Sequence, residues 1–109
     1  MKITLTMDYP TFCALQRPLE EAHKRASASL QATRESIAAE LGVPATGHMG
    51  LTPDAIKFDP RYRAAKADCD EAFARLREFN GRWTRRFKRE IAADVHAARI
   101  ARLATSRRR

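Results

Sequence analysis

The run Arg82-Trp83-Thr84-Arg85-Arg86-Phe87-Lys88-Arg89 has the residue types to bind an anion. A planar guanidinium holds phosphate or carboxylate through two parallel hydrogen bonds and also stacks on rings. On a helix of about 100° per residue, Arg82, Arg85, Arg86 and Arg89 fall within an arc of about 100°, with Trp83, Phe87 and Ile91 nearly opposite. Such a stripe covers about 10 Å of helix, enough to meet a few phosphates. Arg107, Arg108 and Arg109 extend it as a basic tail.

The charge distribution isolates this end of the chain. Residues 1–81 carry 11 lysines and arginines against 11 acidic residues, whereas residues 82–109 carry 10 against 2, so the whole net charge of +8 is C-terminal. A neutral body with a basic end suits an anionic partner. The candidate binding residues are therefore Arg82, Arg85, Arg86, Lys88, Arg89, Arg107, Arg108 and Arg109. Their expected target is a nucleic-acid backbone or nucleoprotein surface. The alternative is a small inhibitor or regulator of mobile-element type, such as an antagonist of a host nuclease or defence complex, that docks on an acidic protein face. A solubilising role alone would need no ligand.

Catalytic constellations are missing from the sequence, and a non-enzymatic protein with no cofactor is expected. His23, His48 and His96 form no i, i+4 pair, and Cys13 and Cys69 have no partner at metal-ligand spacing. Asp70 follows Lys66 by four residues and Glu71 precedes Arg75 by four, the spacing of ordinary helix-surface ion pairs. Gly47-His48-Met49-Gly50 lacks the Gly-Lys-Ser/Thr ending of a phosphate loop. Neither helix-turn-helix spacing, zinc-finger ligands nor an RNP-type strand is present. Two distant cysteines and the absence of an export or membrane-spanning run point to the cytoplasm.

The elements that must carry the stripe read as mainly helical. Ile3, Leu5 and Met7 alternate with polar residues, which predicts a short N-terminal β-strand whose best internal partner is Ile56-Lys57-Phe58. From Pro10 the stripe Phe12, Leu15, Leu19, Ala22, Ala26, Ser29, Thr33, Ile37, Leu41 has helical spacing. Pro18 should kink or restart that helix, and Gly42 should end it. Residues 43–59 form a long connection in which Thr52-Pro53-Asp54-Ala55 signals a helical turn, with Met49, Leu51, Ile56 and Phe58 available to cover the helix ends. Asp59-Pro60 then opens a stripe of Tyr62, Ala65, Cys69, Ala72, Leu76, Phe79, Trp83, Phe87, Ile91 and Val95. Its last steps are all four residues, so the stripe drifts around the axis.

The expected architecture is an antiparallel helical hairpin with a long C-terminal helix that is continuous through Asn80-Gly81. The alternative is a three-helix bundle (18–41, 60–79, 82–104) broken at that pair. Residues 1–105 form one helical domain and 106–109 the basic tail. A two-helix core of this size is marginal alone, so a homodimer or obligate hetero-complex is expected, with no membrane partner. The small residues Ala22, Ala26 and Ser29 mark the body as the expected association surface.

Overall fold

The computed structural model describes residues 7–107 and, at Arg107, the backbone alone. It is mainly helical: α1 (Tyr9–Leu41), a 3-10 turn (His48–Gly50), α2 (Asp54–Lys57), α3 (Pro60–Trp83) and α4 (Lys88–Arg107). The expected strand lies mostly outside the described residues. Its suggested partner is not extended, since Ile56 and Lys57 belong to α2 and Phe58 is its C-cap.

Helix α1 begins where Asp8 accepts a hydrogen bond from the Thr11 amide, with proline in the first turn. That bond holds the Asp8 carboxyl below its usual value. The helix passes through Pro18 without interruption, so the expected restart does not occur. It stops at Gly42, whose φ of 68° is left-handed and lets the next amide, that of Val43, reach back to the Ala38 carbonyl. Helix α3 is capped in the same manner by Asp59, which accepts from the Arg61 amide. The short α2 has Pro53 as its N-cap with no side-chain bond, so Thr52 does not play that part.

Helices α1 and α3 pack antiparallel. Phe12 stacks on Phe79 at one end, Ser27 meets Cys69 in the middle, and Arg61 pairs with Glu40 at the other end. The interior is thick at both ends and thin between. At the loop end Ile37, Ala38, Ile56 and Tyr62 are buried together, backed by Leu30, Val43 and Ala45. Of the four residues available to cover that end only Ile56 does so, while Met49, Leu51 and Phe58 stay exposed. Between the two ends, Ala22, Ala26 and Ala72 line one shallow groove, so α3 itself occupies the small-residue seam that was expected to join two molecules.

Helix α3 continues through Asn80-Gly81, as the phase of Phe79 and Trp83 implied, but the long helix is not continuous. It breaks four residues later, at Thr84–Phe87. There the amides of Arg86 and Phe87 bond to the carbonyls three residues back, those of Trp83 and Thr84, tightening the chain before α-helical bonding resumes from Ile91 to Phe87. The Thr84 hydroxyl also donates to the Asn80 carbonyl, a back-bond that bends helices. Phe87 supplies the pull. It is buried against Phe12, with ring centroids 5.0 Å apart, and against Tyr9 at 5.8 Å.

Beyond this elbow α4 leaves the hairpin. Ile91 is half-buried and every residue from Ala92 to Ser106 is exposed, so α4 does not lie along the other helices as the third member of a bundle. The extents of 55 × 53 × 19 Å describe a flat L. One limb matches the length of about 50 Å expected for the 33 residues of α1.

Two substitutions test this description. Phe12 is 1% exposed at the centre of four aromatic rings, so Phe12→Ala should lower stability in urea by about 3–5 kcal/mol; a loss below 1 kcal/mol would contradict the aromatic end of the core. Gly81 lies in mid-helix, and a Cβ there would meet nothing within 4 Å. Gly81→Ala should therefore raise stability by about 0.5–1 kcal/mol, and a loss would show that this position needs glycine.

Candidate binding surface

The elbow and the first turn of α4 gather the cationic residues singled out in the sequence. Arg82 lies on the last turn of α3, Arg85 and Arg86 in the connecting turn, and Lys88 and Arg89 at the start of α4, all exposed. Arg107 is the last residue of α4, and Arg108 and Arg109 lie outside the described residues. The break at Thr84–Phe87 means that Arg82, Arg85, Arg86 and Arg89 do not form one stripe on one helix. They surround a corner instead.

Arg86 departs furthest from the expected separation of arginines and aromatics. Its guanidinium lies 5.7 Å from the Phe87 ring centroid and 6.0 Å from that of Trp83. In the tight turn the cation sits over both ring faces, although Arg86 and Trp83, three residues apart, would be neighbours on a straight helix as well. Trp83 is half-buried and Phe87 buried, so Phe87 belongs to the core and Trp83 forms its edge.

The wheel of α4 adds two residues that were not among the candidates. At about 100° per residue, Arg102, Lys88, Arg99 and Arg89 fall within about 140°, and Glu90 and Asp94 occupy the opposite side. Reading 82–89 as one helix hid this face, although a wheel drawn from Lys88 onward displays it. Asp94 defines the side that meets the body, because it accepts a hydrogen bond from the Tyr9 hydroxyl of α1. That bond raises the Tyr9 phenol well above its ordinary value, with burial and the neighbouring Cys13 acting in the same direction. The cationic side of the arm is thereby turned away from the hairpin.

Uncompensated charge distinguishes the arm from the body. Among the described residues every carboxylate ion pair lies on the hairpin: Arg61 with Glu40 and Asp59, Lys66 with Asp70, and Arg75 with Glu71, the last two being the helix-surface pairs read from spacing. None of the elbow and α4 cations whose side chains are described joins one. Seven cations, at 82, 85, 86, 88, 89, 99 and 102, thus form two groups, five around the elbow and two further along α4, and a polyanion would relieve the repulsion within each.

Other chemically capable groups do not assemble into a site. Ser27 Oγ lies 3.4 Å from both His23 Nε2 and Cys69 Sγ, a weak polar chain within the seam. Gln16 donates to the Asn80 side chain at 2.9 Å, which gives the mid-helix asparagine a role in joining α3 to α1. No cluster of three or more metal-ligating side chains occurs among the described residues, nor is any of their helices long and apolar enough to cross a membrane. Comparison with known proteins finds no matching family model, no curated relative and no similar solved structure.

The Tyr9–Asp94 bond is the polar tie between arm and body. Tyr9→Phe should leave the unfolding of the hairpin unchanged while speeding amide hydrogen exchange in the first two turns of α4. Unchanged exchange there would show that the elbow alone holds the arm.

Proposed function

We propose that this chain is a non-enzymatic binding module whose elbow and α4 arm grip the phosphate backbone of nucleic acid, in the reducing cytoplasm where Cys13 and Cys69 stay free thiols. The observation that carries the reading is the unpaired cationic side of α4, turned outward from a neutral, internally ion-paired hairpin. Lys88 and Arg89 are separated from Arg99 and Arg102 by about 15–20 Å of helix, a span that reaches several phosphates.

The composition of the arm does not favour the reading of adenine edges. Residues 82–109 contain no asparagine or glutamine, the side chains that pair with adenine edges. Stacking on splayed bases is not favoured either, because Phe87 is buried and Arg86 lies over Trp83. The arginines that remain serve position and affinity, and the body serves as the scaffold that holds them.

The test is the salt dependence of binding to short nucleic acids of unrelated sequence. Affinity should fall steeply with salt and vary little with sequence. Each of Arg82, Arg85, Arg89, Arg99 and Arg102 replaced by Gln should reduce the log-log slope by about one. Arg86 is left in place because it packs on the elbow. A five-fold Gln variant that stays helical and binds as tightly as the native chain would overturn the proposal. Capture of one acidic protein that survives nuclease treatment, with no binding to nucleic acid, would replace it with the inhibitor reading.

A further inference from the structure

We infer that α4 pairs with the α4 of a second copy of this chain, antiparallel, through the face formed by Ala93, Ala97, Ile100 and Ala104. The inference stands apart from the nucleic-acid reading, since it concerns a different side of the arm.

The first observation is surface. The chain exposes 9086 Å² at 12.3 kDa, whereas a compact monomer of that mass exposes about 6,100 Å². Its radius of gyration is 19.5 Å, against about 13 Å for a compact chain of this length. The surplus is several times the roughly 800 Å² that each partner of a standard stable interface buries. Helix α4 contributes to this excess, because it packs on the body only near its start. Ile100 and Leu103 there remain 53% and 56% exposed.

The second observation is that the face matches itself. At about 100° per residue, Ala93, Ala97, Ile100 and Ala104 lie within about 60° of one another, with Leu103 and His96 along one edge. Their steps are four, three and four, and so read the same in both directions. An antiparallel copy therefore sets Ala93 against Ala104 and Ala97 against Ile100, alanine opposite the branched side chain at the centre and alanine opposite alanine outside it. Such a two-fold contact is closed and uses the same patch on both molecules. Alanine allows the helix axes to approach closely, and Leu103 covers the seam.

Charge placement agrees with this partner. Arg99, Arg102 and Lys88 sit about 100–160° from the seam and stay outside the contact, while Arg89, about 20° from Ile100 on the wheel, lies one turn before Ala93 at the outer end of the face. Asp94 is likewise outside it, facing its own body through Tyr9. Helix α3 already packs along α1, whereas no helix packs along α4 beyond Ile91.

The experiment is light scattering of the full chain at micromolar concentration, joined to cross-linking of single-cysteine chains. In a Cys13→Ser, Cys69→Ser background, one chain carries Ala97→Cys and another Ile100→Cys. The native chain should weigh twice 12.3 kDa. Ile100→Glu should halve that mass with its helical circular dichroism retained. The mixed cysteine chains should form a covalent pair much faster than either chain alone. A native monomer, an undiminished dimer in Ile100→Glu, or Ala97→Cys chains that link to one another as fast as the mixture would each overturn the inference.

Discussion

The burial of Phe12 among Tyr9, Phe79 and Phe87 is the contact on which the shape of this molecule depends. Offset aromatic rings add attraction beyond the area they cover, and here they draw residues from both helices and the connecting turn to one point. Together with the Thr84 back-bond, the inward turn of Phe87 opposes straight continuation of α3, which has helical residues through Trp83 and no proline at the corner. The 3-10 bonding and the Thr84 back-bond make the turn possible, and the ring cluster makes it stay.

From that corner follows the division of labour along the chain. The hairpin uses its carboxylates and cations on each other, whereas the arm begins with arginines that have no carboxylate partners. Because Asp94 is committed to Tyr9, the arm is oriented as well as attached, and its two acidic residues lie away from its cations. An electrostatic face held this way needs no rearrangement to meet an anion, which lowers the ordering cost of binding. The same projection exposes apolar side chains that a compact fold would cover, and a second molecule is the simplest cover for them.

Much of this was legible in the sequence where local chemistry decides. The cap at Asp59-Pro60, the stop at Gly42 and the apolar phase from Tyr62 to Trp83 each rest on residues within one or two turns. Pro18 misled because tertiary packing along α1 holds the helix through it. The break at Thr84–Phe87 was hidden because it depends on Phe12, more than seventy residues distant, and no breaker residue marks it. The steps of four after Trp83 were the available sign, since a drifting stripe cannot stay on a straight seam. The candidate cations were singled out by type, but their arrangement around a corner, and the placing of Arg99 and Arg102 beside Lys88 on one face, followed only from the break.

We propose that the fixed elbow presents its outward cationic arm to a phosphate backbone. The most direct measurement is the amide hydrogen-exchange footprint of the full chain with and without a short DNA duplex. Added protection is expected from Arg82 through Arg102 and none in the loop around Met49 to Phe58. Protection confined to that loop, or a footprint absent under saturating duplex, would contradict it.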